Sequence, residues 1–178
     1  AINNVIYNHG LDASILSLTA DDHAIYGTGY VFGDINDGNL EGAFSADPDT
    51  GAVNWIENCH GDHYSAWSNN TVVYTVGHAH YCTPVGGFFQ SDPWQTNMRR
   101  AIAFSAAATG TNGRDEYAGG TYYDFEGTPS PTMYNWFPEI GPGTFTGQGQ
   151  GAWHVTGNSQ YVVLGGEFPG PNANAAVW

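Results

Sequence analysis

Between Cys59 and Cys82 the sequence reads CHGDHYSAWSNNTVVYTVGHAHYC, a stretch that holds both cysteines of the chain and four of its seven histidines. These residue types form disulfides or hold borderline metals, and their spacing bears on which. Folded as a hairpin with a two-residue turn at Asn70-Thr71, the segment sets Cys59 directly opposite Cys82. Opposed residues in an antiparallel ladder have Cα atoms about 4.5–5.5 Å apart, within reach of an S–S bond. A turn at Asn69-Asn70 would need one bulge to restore the match. The same register puts His63 opposite His78, and His80 leaves the strand on the same face as His78. Three imidazoles so placed could hold zinc or copper, with Asp62 or Glu41 adding an oxygen ligand. Alternatively they hydrogen-bond backbone and water. The order of cysteines and histidines matches no common structural zinc site, so a Cys59–Cys82 disulfide is expected.

Other segments carry weaker chemistry. Asp34, Asn36 and Gly38 alternate in DINDGNLEG as in a calcium loop, but the glycine and glutamate positions of that loop are not reproduced. A hairpin loop rich in turn formers explains the segment equally well. Trp94, Trp136 and Phe137 lie in proline-containing loops, where exposed rings would stack on sugar faces or cap apolar edges. No nucleophile elbow, phosphate loop or dinucleotide fingerprint occurs, and no pair of acids forms a defensible acid/base couple.

Composition narrows the classes further. The chain has 178 residues and a formal charge of −14, with no lysine and only Arg99, Arg100 and Arg114 as cations. Nucleic acid and anionic membrane surfaces are excluded as partners, because no basic stripe exists to neutralise phosphates. No apolar run approaches the roughly 18 residues of a bilayer span, which argues against membrane insertion. No signal peptide is visible and the first residue is alanine, so the chain is expected to begin after processing or to be part of something longer.

The elements that must position these residues repeat. SLTADDHAIYGTGYVFG, AWSNNTVVYTVGHAHY and HVTGNSQYVVLGGEFPG each read as strand, polar turn, aromatic strand and glycine. Aligned on Gly29, Gly77 and Gly166, the second interval is close to twice the first. GAFSADPDTGAVNW and AIAFSAAATGTN share a second element, with Phe44 matching Phe104 and a Thr-Gly turn in each; Trp55 then closes a fourth strand. Four-stranded units of about 40–50 residues are the grammar of β-propeller blades. The expected fold is all-β: about three blades' worth of antiparallel sheets, roughly 13–60, 61–112 and 113–178. Closed rings typically have at least four blades, so further blades from the same or a partner chain are expected, the segment PNANAAVW falling just before another outer strand.

The segments NLEGAFSADPDTGAVNWIENCHGDHYS, VVYTVGHAHYC and NWFPEIGPGTFTGQGQGAWHVTGNSQYVVLGGEF resemble secreted actinobacterial β-propeller proteins of kelch-like or PQQ-repeat-like type. Those proteins are often fused to PKD, LamG or carbohydrate-binding modules. The resemblance implies the propeller fold and a secreted or cell-surface location. The reading it supports is a non-catalytic propeller that binds carbohydrate or a surface protein. The alternatives are a metal- or quinone-dependent extracellular oxidoreductase centred on His63, His78 and His80, and a structural subunit of a surface assembly.

Overall fold

The structure is a computed structural model and describes residues 6–169. It is all-β, with several small antiparallel sheets and no α-helix among the described residues. Two short 3-10 turns, Thr83–Val85 and Trp94–Asn97, are the helical pieces, and no helix there is long and apolar enough to cross a membrane. The segment PNANAAVW lies outside the described residues.

The first unit is a four-stranded meander: β1 (Ala13–Ala20), β2 (Ile25–Val31), β3 (Ala43–Ala46) and β4 (Val53–Glu57), hydrogen-bonded in chain order. Its turns are made by aspartates. Asp21 Oδ1 accepts from the His23 and Ala24 N–H groups, and Asp47 Oδ1 accepts from those of Asp49 and Thr50. Such short carboxylates mimic a backbone turn and satisfy amides that the ladder leaves free.

The second unit begins with the cysteine–histidine hairpin, β5 (His63–Ser68) and β6 (Val72–Ala79), followed by β7 (Arg99–Ser105). The expected turn is present: the Asn69 N–H donates to the Val72 carbonyl, and Asn70 takes φ 73°. Asparagine tolerates that left-handed conformation better than most residues. The pairs Ser68↔Val73, Ala66↔Thr75 and His60↔Tyr81 follow the predicted register, and Cys59–Cys82 is a disulfide with Cα atoms 4.2 Å apart. One pairing differs. His63 faces Gly77 rather than His78, because Tyr64 bulges out of the ladder between His63 and Ser65.

The chain then leaves the sheet through β8 (Gly110–Thr111) and β9 (Pro129–Ser130), which pair with each other. This excursion packs back on the first unit: Phe125 joins Leu40, Val53 and Ile56, and Asn112 Nδ2 donates to the Ile56 carbonyl. Only afterwards is the fourth position beside β7 filled, by residues 132–134, through Ser105 N–H to Thr132 and Tyr134 N–H to Ala103. The second unit therefore runs past residue 112. A third hairpin follows, β10 (Ala152–Gly157) and β11 (Val162–Gly166).

Hydrophobic layers lie between consecutive units. Ala24, Tyr26, Ala43 and Trp55 of the first pack on Ala66 and Val73 of the second, and the Trp55 indole N–H donates to the Ala106 carbonyl at 2.8 Å. Val76 and Ala101 of the second pack on Ala152 and Val155 of the third, with Trp67 and Tyr74 alongside. A buried tryptophan needs both an apolar bed and a partner for its N–H, and Trp55 has both. β5 lies against β1 on one side and β10 on the other, so the opening strands of the three units form a row.

Candidate functional site

The three opening hairpins share one irregularity. The ladder slips between Ile15 and Ser17, between His63 and Ser65, and between Ala152 and His154. In each case the residue before the slip pairs with the repeat glycine: Ile15 with Gly29, His63 with Gly77, Ala152 with Gly166. A Cβ at Gly77 would overlap the Asp62 carbonyl and one at Gly166 the Gly151 carbonyl, so the bulge demands glycine there. The residues left without a ladder partner are Leu16, Tyr64 and Trp153. All three line a single cleft of ≈ 670 Å³, together with Tyr30, Phe32, Asp62, Gln148 and Gln150.

Much of the lining is aromatic. The Tyr64 and Trp153 rings pack at 4.5 Å between centroids, and Tyr30 and Phe32 pair at 5.3 Å. The rim is the FTGQGQ segment. Glu167 accepts from both the N–H and the hydroxyl of Thr146, at 2.8 and 2.7 Å, and Gly147 and Gly149 take φ of 74° and 67°. Arg100 reaches the same loop, donating to the Ile140 and Gly149 carbonyls. These contacts set the loop that carries Gln148 and Gln150.

Behind the cleft lies a polar network. The Asp62 N–H donates to His78 Nε2 at 3.2 Å, so the ring proton must sit on Nδ1, where Gln150 Oε1 and the Tyr64 hydroxyl each lie at 3.1 Å. The Tyr64 hydroxyl donates in turn to Asp62 Oδ2 at 3.4 Å. Burial lowers His78 and His80 to about 4, so both are neutral at pH 7. His80 Nδ1 donates to Gln90 Oε1 at 2.8 Å and its ring meets Trp94. Deeper, His63 Nδ1 donates to the Gly61 carbonyl, and Nε2 lies 3.4 Å from Glu57 Oε2. Burial works to lower His63, yet the Glu57 carboxylate beside it prevails and raises it; burial raises Glu57 itself. Glu41, next to Asp62, His63 and Tyr122, is pushed up to about 8 by burial, and Asp62 to about 6. His60 stacks on Tyr122 at 3.6 Å and meets Asp115 of the excursion at 2.6 Å.

The candidate metal ligands are thus neighbours that do not converge. Both His78 nitrogens are engaged in hydrogen bonds, and His63 points into the buried Glu57 pair. Among the described residues, the one trio of potential ligand atoms within 4.8 Å is Glu57 with the sulfurs of Cys59 and Cys82, which are bound to each other. At the calcium-like loop, Asp34 Oδ1 accepts from Asn36 N–H and Nδ2, as a turn aspartate does. Of the aromatic candidates, Trp94 stands partly exposed over His80. Trp136 packs edge-on to Tyr74, while Phe137 packs on Phe88 beneath Arg99. None of the three lines the cleft. Its actual lining could have been found by reading the repeats as a stack, since Leu16, Tyr64 and Trp153 stand equally far ahead of Gly29, Gly77 and Gly166.

Comparison with protein-family models, with curated proteins and with solved structures finds no match.

Proposed function

We propose that the chain is a secreted, non-catalytic repeat module of β-propeller type that binds carbohydrate in this cleft. The observation that carries the reading is the convergence of one bulged residue from each repeat, Leu16, Tyr64 and Trp153, on a common cavity. Convergent positions from rotated repeats are how a propeller builds a central site, and bulges commonly re-aim side chains next to such sites. The chemistry of the lining supports a sugar: flat aromatic faces for the apolar side of a ring, with amides, hydroxyls and one carboxylate for its hydroxyls. The disulfide favours an oxidising compartment.

A glycan array probed with labelled protein tests this reading. Binding to at least one carbohydrate class, lost in Trp153→Ala while the fold is kept by circular dichroism, is the expected result. An array silent at high micromolar protein refutes it.

A further inference from the structure

A backbone N–H can only donate, and one such group sets the sense of the polar network behind the cleft. The Asp62 N–H donates to His78 Nε2 at 3.2 Å, which leaves Nδ1 to carry the ring proton. The His78 N–H returns a bond to the Asp62 carbonyl, so the imidazole is locked onto that residue from both sides. Its Nδ1 proton faces Gln150 Oε1 and the Tyr64 hydroxyl oxygen, each at 3.1 Å. The Tyr64 hydroxyl passes its own proton to Asp62 Oδ2. His78 is buried and does not line the cleft, whereas Tyr64 and Gln150 both do.

Gln150 is where this chain of donors ends. A primary amide has one accepting side and one donating side. Turning it over would set its NH2 against the Nδ1 proton of His78, donor against donor, so Oε1 must stay where it is. The Gln150 Nε2 donates to no group among the described residues and keeps access to solvent. Resting on the carbohydrate reading, we infer that His78 is a positioning residue of the cleft, holding Gln150 so that its NH2 is a fixed donor for an acceptor oxygen of the bound sugar. An unrestrained glutamine offers either end of its amide to a hydroxyl. Here one end is spent, and Gln150 becomes a specificity-determining residue: the sugar atom beside it must accept. One imidazole thereby ties a side chain of β5 to the rim loop that precedes β10.

Nuclear magnetic resonance of the parent protein near neutral pH reads the first step without any ligand, because long-range proton–nitrogen correlations distinguish the two imidazole tautomers. His78 is expected as Nδ1–H, the reverse of the form a free histidine side chain favours, and an Nε2–H tautomer overturns the inference. Calorimetry with hexaoses of glucose, xylose, mannose and N-acetylglucosamine reads the second step. Gln150→Glu keeps an oxygen for His78 and removes the donors. It should weaken binding roughly three- to tenfold, the range for a neutral hydrogen bond. His78→Leu should weaken it severalfold by freeing the amide, and His78→Asn, which returns a donor near the place of Nδ1, should restore most of the loss. If His78→Leu does not fold, the tautomer and Gln150→Glu still decide. An unchanged dissociation constant in folded Gln150→Glu overturns the donor role and leaves the carbohydrate reading standing. Binding of none of the hexaoses by the parent protein, with a silent array, removes that reading and the inference together.

Discussion

At the residue scale, the unusual feature is a group of ionisable side chains held in states that water would not give them. Glu41 at about 8 and Asp62 at about 6 keep protons that the unfolded chain releases near 4.5 and 3.8. His78 and His80, at about 4, lack protons that the unfolded chain holds up to about 6.5. Stability rises with pH where the unfolded state binds more protons and falls where it binds fewer. Between about pH 4.5 and 6 the two carboxyls and two imidazoles oppose each other, and stability should be nearly level. Above about 6.5 the imidazole contribution is complete while Glu41 continues to penalise ionisation, and the raised His63 and Glu57 act in the same direction. Denaturant melts should therefore show stability falling from about pH 6.5 to 8, with a slope approaching 1.4 kcal/mol per pH unit for one proton, to order of magnitude. Glu41→Gln should flatten that slope; an unaltered profile would place the proton elsewhere. The disulfide is independent of this balance. It closes a sequence separation of 23 residues, for which chain entropy gives about 3 kcal/mol. The double variant Cys59→Ala/Cys82→Ala should lose about that much, and mass spectrometry of unreduced protein should detect no free thiol.

At the element scale, the hairpins were legible because their signals are local. Alternation, the Asn-containing turn and the pairing of Cys59 with Cys82 all follow from spacing within two dozen residues. The bulges were not legible, because a slip of one residue leaves no mark on composition; it moved His63 from His78 to Gly77 and turned Tyr64 into the cleft. The excursion through β8 and β9 was not legible either. Gly110-Thr111 resembles the start of a fourth strand, and only the tertiary contacts of Phe125 with the first unit and of Asp115 with His60 show why the strand is postponed to residues 132–134. The bulge also predicts which glycines tolerate change. Gly77→Ala and Gly166→Ala force a Cβ into a backbone carbonyl, while at Gly29 the nearest atoms are about 3 Å away. The first two should destabilise by more than about 2 kcal/mol and the third by less, given the usual cost of overpacking. Thermal melts that rank Gly29→Ala worst would contradict this geometry.

At the scale of the whole molecule, the outer units of the row are apolar on their open sides. Leu18 on β1 is 68% exposed, and Tyr161 and Val163 beside and on β11 are 60% and 55% exposed. In the propeller reading these faces are where further units would pack. Residues 1–178 alone should then bind a hydrophobic dye and self-associate at micromolar concentration in the ultracentrifuge, and a longer polypeptide carrying more repeats should do neither. A dye-silent monomer would mean that these faces need no cover. The bulges have a final consequence, for mutational tolerance. Leu16, Tyr64 and Trp153 sit outside the ladders, so strand alignment does not depend on what those three positions are. A library randomised at these sites alone should yield folded protein far more often than one randomised at their ladder-paired neighbours Ile15, His63 and Ala152. If the cleft holds sugars as proposed, sorting the library against different sugars should recover new specificities on an unaltered frame.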